Sequence, residues 1–315
     1  MSFRLTRRGG IRAARRSPKS LGIALVYHRI GKPAGDPRYE LVPALDTDIF
    51  EAQLDHLREN YRVVPPSRLV EATFERRARE PFPVAITFDD DLSSHVDVAA
   101  PALRRAGLPA GFFICGASLD GPHRFWWEDL QGLADYTGPD TGFDIGQEFD
   151  LAELARGVPG VIHQIAERIE QLPPQQRDEV AAALRKHAGR DQEQLDANDV
   201  RVLAAEFEIG FHTRRHYLLS TLDDAELRSA LSEGLAELEA TAGRRLTMLA
   251  YPHGKADRRV ADAARNVGFR LAFTGFPVPL TAQTDLLMVG RIDASVISPT
   301  GFGRVIRDTL THELG

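Results

Sequence analysis

Three consecutive aspartates, Asp89, Asp90 and Asp91, close the apolar run PFPVAITFDDD of residues 81–91. At an effective dielectric near 20, adjacent carboxylates repel by about 4 kcal/mol per close pair, so the cluster calls for a cation, a proton or full solvation. A second constellation is HTRRH, with His212 and His216 at i and i+4. On a helical turn that spacing puts both imidazoles on one face, within reach of one ion. Two histidines with one aspartate form a set with open coordination positions, suited to zinc, cobalt or Fe(II). Cys115 is the only cysteine, which excludes an internal disulfide and any zinc site built on several cysteines.

These side chains need elements to hold them. Residues 84–88 (VAITF) read as a buried parallel strand, and in α/β folds the carboxyl ends of such strands open into the active-site crevice. Residues 21–27 (LGIALVY) read as the first strand and leave His28 at its carboxyl end. Strands over 110–115 and 207–211 follow, the latter running straight into His212. The last three are expected at 247–251, 270–273 and 286–289, with Arg291 and Asp293 just beyond. Apolar spacing and capping residues predict helices over 46–59, 67–79, 95–106, 223–241, 256–267 and 305–312. Residues 121–206 break the alternation. Helices are expected there at 126–136, 151–156, 161–172, 175–187 and 198–205, an inserted helical subdomain on the face where barrels shape substrate access. Seven principal strands separated by helices imply an α/β barrel one strand short of eight.

At these positions the chain resembles the polysaccharide deacetylases, also called NodB-homology or carbohydrate esterase family 4 enzymes. Thr87-Phe88-Asp89-Asp90 is similar to the family's TFDD motif and His212-Thr213-Arg214-Arg215-His216 to its H-[ST]-x-x-H motif. Tyr251-Pro252-His253-Gly254 is similar to the Y-P-x-G form of the third motif, and Arg291, in GRID, to an arginine near the later strands. The match covers most of residues 21–291 apart from the helical insert. Tyr27-His28 resembles the start of the bacterial poly-N-acetylglucosamine deacetylases, the type closest in pattern. The resemblance implies a distorted seven-stranded (β/α) barrel. It makes Asp90, His212 and His216 ligands of a divalent metal, with Zn2+ expected, and Asp89 the general base. Arg291 would pair with Asp89 and orient it. His28 is the expected general acid and His253 its rival, because Leu310-Thr311-His312 has the letters of the family's late L-x-H motif but lies in a helical segment. Tyr251, Pro252 and His253 are expected at the substrate. Trp127, beside Trp126, would either stack on a sugar face or anchor the insert. Asp91 stands where a glycine is usual, which leaves open which carboxylate takes the metal.

With 315 residues and 43% hydrophobic content the chain can bury a sizeable core. A net charge of -6 and a pI near 6.0 carry no polyanion-binding signature, so no nucleic-acid partner is expected. Residues 1–20 are the exception: Arg4, Arg7, Arg8, Arg12, Arg15, Arg16 and Lys19 occur without an acid, which predicts a disordered basic arm able to touch an anionic membrane peripherally. The barrel is expected over 21–315. No apolar signal-peptide core follows Arg7-Arg8, and no run of about 18 apolar residues occurs, so a cytoplasmic protein is expected. The expected function is metal-dependent hydrolysis of N-acetyl groups on an amino-sugar-containing saccharide. Deformylation of a formamido sugar would use the same residues. An Fe(II) oxygenase would leave Asp89 without a role, and an inactive metal-binding module would leave Asp89 and His28 idle.

Overall fold

The computed structural model describes residues 11, 13–33, 36–121, 123–134, 158, 160–186 and 194–312. Its strands are Ile23–Tyr27 (β1), Arg62–Val63 (β2), Pro83–Asp89 (β3), Gly111–Ile114 (β4), Glu208–Phe211 (β5), Met248–Ala250 (β6), Leu271–Phe273 (β7) and Arg291–Asp293 (β8). All pair in parallel, in the order β7-β6-β5-β4-β3-β1-β8, with β2 beside the start of β3. β1 and β3 are buried along their whole length, as expected of strands covered on both faces. From β7, Ala272 donates to the Leu286 carbonyl at 2.8 Å, and from β8 the Arg291 Nε donates to the Thr274 carbonyl at 3.1 Å. The sheet is thus nearly closed into the expected (β/α) barrel.

The helices are Thr47–Asn60 (α1), Leu69–Glu75 (α2), Ala100–Ala106 (α3), Trp126–Ala134 (α4), Val161–Glu170 (α5), Pro174–Arg185 (α6), Ala197–Glu206 (α7), Asp224–Ser232 (α8), Leu235–Ala242 (α9), Arg258–Val267 (α10) and Phe302–His312 (α11). Asp46 caps α1 by accepting from the Asp48 and Ile49 amides, and Phe50, Leu54 and Leu57 turn one face of that helix into the core. There Phe50 meets Tyr27 edge-on, and Phe88 stacks between Tyr27 and Phe112. The Tyr27 hydroxyl donates to Gln53 Oε1 at 2.8 Å, and Gln53 Nε2 donates to the Ala294 carbonyl at 3.2 Å. These bonds fix the end of β1, from which His28 emerges. Helices α4, α5 and α6 form a second core, with Trp126, Leu130, Ile162, Ile169 and Leu184 buried together.

Several expectations are corrected. The last strand is Arg291–Asp293; the segment 286–289 makes only a bridge from Val289 to Phe273, because Asp285 takes the Leu287 amide with its side chain and the Met288 amide with its carbonyl. The helix expected over 223–241 is two helices, divided at Gly234, whose φ of 77° lies in the left-handed region and stops α8 from continuing. Residues 13–20, expected within a disordered arm, lie against the barrel: Ala14 is buried and the Arg15 carbonyl accepts from Arg76 Nη2 at 2.8 Å. Residues 1–10, the helix expected at 151–156 and the ends of those expected to reach Tyr136 and His187 lie outside the described residues. No helix among the described residues is long and apolar enough to cross a membrane.

Gly210, in the strand that carries His212, has the Phe113 ring against its Cα, where a Cβ would collide with it. Gly210→Ala should therefore lower unfolding stability by about 1–3 kcal/mol, measured by urea denaturation; an unchanged midpoint would refute this packing.

Candidate metal centre and active site

The three aspartates at the end of β3 are all buried, yet each has a different environment. Asp89 receives both arms of the Arg291 guanidinium, Nη1 to Oδ1 at 2.7 Å and Nη2 to Oδ2 at 2.6 Å. Burial pushes its carboxyl up, but Arg291 and then His212 outweigh that and hold it at about 2, so Asp89 is ionised. Asp91 accepts from the amides of Cys115 (2.7 Å), Gly116 (3.2 Å) and Ala117 (3.0 Å) and from the Ser118 hydroxyl (3.2 Å). It therefore anchors the turn after β4 and points away from the histidines. Among the described residues Asp90 has no such partners. Its Oδ1 is buried without a hydrogen bond, and burial, then the neighbouring Asp89 and Asp91, push its carboxyl well up. The chain bends there with Asp90 at φ 75°, held by His95, whose Nε2 donates to the carbonyls of Asp89 (2.9 Å) and Asp90 (3.1 Å).

His212 follows β5 directly. Its Nδ1 donates to the Ala250 carbonyl at 2.9 Å, which fixes the tautomer and leaves the Nε2 lone pair facing Asp90 Oδ1 at 3.6 Å. His216 Nε2 faces the same oxygen, also at 3.6 Å. Burial pulls His212 down to about 4 and His216 well below the ordinary histidine range, so both rings are neutral. The expected helical turn is absent: Thr213 and His216 adopt φ of 60° and 50°, and the rings meet across a loop. Donor atoms of Asp90, His212 and His216 all lie within 4.8 Å of one another. Ligands about 2.1 Å from a tetrahedral ion stand about 3.4 Å apart, so this cluster fits a divalent ion.

A cavity of about 470 Å³ opens over the cluster, with Asp89, Asp90, His212 and His216 in its lining. His28 also lines it; the register Tyr27↔Phe88 sets His28 beside Asp89 on adjacent strands. His253 enters from the third motif at φ 58°, its Nδ1 3.0 Å from Glu170 Oε1 and its ring 4.6 Å from that of His216. The insert supplies a wall of His163, Glu167 and Glu170 from α5 and Trp126 and Trp127 from α4. Burial pushes the Glu170 carboxyl up, but His253 outweighs it and leaves it below the usual range.

The model of the polysaccharide deacetylase family matches residues 76–272, more than half the chain and the span that holds both the aspartates and the histidine pair. The chain belongs to the polysaccharide deacetylase family. Solved deacetylase structures share the fold. The Streptococcus pyogenes deacetylase PplD, in complex with acetate, is 16% identical with a TM-score of 0.61, over 93% of this chain and 99% of that one. BC0361, a polysaccharide deacetylase from Bacillus cereus, is 16% identical with a TM-score of 0.58, over 91% of this chain and 69% of that one. IcaB from Ammonifex degensii is 17% identical with a TM-score of 0.58, over 94% and 98%. No curated protein matches the chain.

Other expected site residues of this family member sit differently. Tyr251, expected at the substrate, is fully buried, with its hydroxyl donating to the Leu287 carbonyl at 2.9 Å; Pro252 is buried too, and neither lines the cavity. Trp127 does line it, but Phe125 stacks on one ring face at 4.2 Å, which makes Trp127 a wall and not an open platform for a sugar. His312 ends α11, as its helical surroundings in the sequence suggest. The sequence reading missed the α5 wall. Its signal was a polar stripe, His163, Glu167 and Glu170, at i, i+4 and i+7 beside the buried Ile162, Ile165 and Ile169.

Asp91→Ala should strip the amides of the turn after β4 of their acceptor and lower stability by about 1–3 kcal/mol while leaving metal stoichiometry unchanged. Calorimetry with metal analysis checks this. Loss of metal at undiminished stability would make Asp91 the ligand.

Proposed function

We propose that the protein is a metal-dependent hydrolase that removes N-acetyl groups from an amino sugar within a saccharide. The observation that carries the reading is the orphaned Asp90 Oδ1, which lies 3.6 Å from Nε2 of both His212 and His216. At that separation neither ring hydrogen-bonds the carboxylate, and a divalent cation among the three donor atoms satisfies all of them. Family membership supplies the substrate class, and PplD, of the same fold, was solved with acetate.

In this reading Asp90, His212 and His216 hold the ion, with Zn2+ favoured by the nitrogen and oxygen donor set. When bound, such an ion polarises an amide carbonyl and lowers the pKa of water. Asp89 takes the proton from the attacking water. Its two-point contact with Arg291 keeps the carboxylate ionised and aimed, at the cost of basicity. The departing amine needs a proton, and His28 is assigned that role because it is partly exposed, faces the same cavity and lies beside Asp89 on the neighbouring strand. His253 is the rival donor, held by Glu170 on the opposite, insert-lined side.

Acetate release from N-acetylated amino-sugar oligomers should disappear on chelation and return with Zn2+ or Co2+; release that survives chelation would defeat the reading. Asp89→Asn should keep the metal and lose activity by at least about 10²-fold. If it loses the metal instead, the two aspartates are interchanged. His28→Ala should lower kcat on an amide by about 10²- to 10⁴-fold and affect an activated ester far less. The same selective loss in His253→Ala, with His28→Ala unaffected, would move the acid to His253.

A further inference from the structure

The helical insert reaches the candidate metal loop through Asp178, which binds Arg215 and Tyr217, through the Trp127 ring on His216, and through one buried guanidinium that bonds the loop's backbone. Arg177, on α6, is only 3% exposed, and among the described residues no carboxylate pairs with it. Its Nη2 donates to the backbone carbonyls of Arg215, at 3.1 Å, and of His216, at 2.8 Å. The guanidinium lies over the ring of Tyr217, 4.7 Å from its centroid, and within 5.8 Å of that of Trp126. A desolvated cation is costly unless its hydrogen bonds are well used, and here both go to the loop HTRRH. That loop needs holding. His216 sits in the left-handed region at φ 50°, unusual for a residue with a side chain, and its Nδ1 is buried without a partner, so nothing bonded to the ring itself fixes its direction. The carbonyl of His216 is the point at which its backbone twist is pinned.

We propose that Arg177 is a positioning residue for His216: through the carbonyls of Arg215 and His216 it sets the backbone from which His216 Nε2 is aimed at the metal. This rests on the reading of Asp90, His212 and His216 as the metal ligands. Groups that orient ligands from the next layer typically change metal affinity by about 10- to 100-fold when removed. Arg177 would do so from the insert, making metal affinity depend on docking of the insert.

The test titrates the metal-free full chain and its Arg177→Met and Arg177→Lys variants with Zn2+ against a chromophoric chelator. It also records the visible spectrum of each Co2+ derivative. Tryptophan emission reports whether the insert stays docked, since Trp126 and Trp127 are the only tryptophans and both lie in α4. Arg177→Met should weaken Zn2+ binding by about 10- to 100-fold and alter the Co2+ bands with little change in emission. Arg177→Lys should recover most of the affinity, because a single donor nitrogen serves both carbonyls. Wild-type affinity and an unchanged Co2+ spectrum in Arg177→Met would overturn the inference, as would equal losses in both variants accompanied by shifted emission. Should Arg177→Met fail to fold, Arg177→Gln is read by the same two outcomes. If the wild-type chain itself binds no Zn2+, the reading of the triad fails and takes this inference with it.

Discussion

Three carboxylates leave one strand end in succession, and burial forbids leaving them as bare charges. At roughly 4 kcal/mol for each close pair, their repulsion is comparable to a large part of a domain's net stability. The chain relieves it in three separate ways. Asp89 is paired with the Arg291 guanidinium, and Asp91 is hydrogen-bonded by amides and a hydroxyl of the turn after β4. Asp90 between them receives neither, and what faces it are the Nε2 atoms of two neutral histidines. The left-handed backbone at Asp90, pinned by His95, turns the middle carboxylate out of line with its neighbours and towards those rings.

The same contacts hold the barrel together. Arg291 does not serve Asp89 alone: its Nη1 also donates to the Thr87 hydroxyl at 3.1 Å and its Nε to the Thr274 carbonyl past β7. One fully buried side chain thus links β8, the aspartate strand and the opposite margin of the sheet. The His212 ring likewise bonds the Ala250 carbonyl of β6. Site and seam share their residues, so the geometry of the base and of one ligand is as rigid as the closure of the sheet. The insert adds the wall opposite β1, with Glu170 on His253 and Arg177 on the His216 loop.

Much of this was legible in the sequence because the chemistry is written locally. An apolar run ending in aspartates, and a histidine pair after another apolar run, predict strand ends that converge, and the register of β1, β3, β4 and β5 brings them together. What was not legible depends on distant partners or on backbone twist. The i, i+4 spacing of His212 and His216 suggests a helix, but positive φ at Thr213 and His216 gives the same convergence through a loop. Residues 286–289 have strand composition, yet Asp285 diverts the amides of Leu287 and Met288, and the pairing passes to Arg291–Asp293. Asp91 leaves open which carboxylate takes the metal until the amides of the next strand's turn, more than twenty residues on, are seen to take it. Tyr251 has the letters of a substrate residue, but its ring fills the core.

The central claim is that Asp90, His212 and His216 share one divalent ion. Anomalous diffraction at the zinc edge, from crystals grown with Zn2+, tests it most directly. A shared ion gives a single strong peak about 2.0–2.2 Å from a carboxylate oxygen of Asp90 and from Nε2 of both histidines. A peak coordinated by Asp89 or Asp91 in place of Asp90, or no peak among these three side chains, would contradict it.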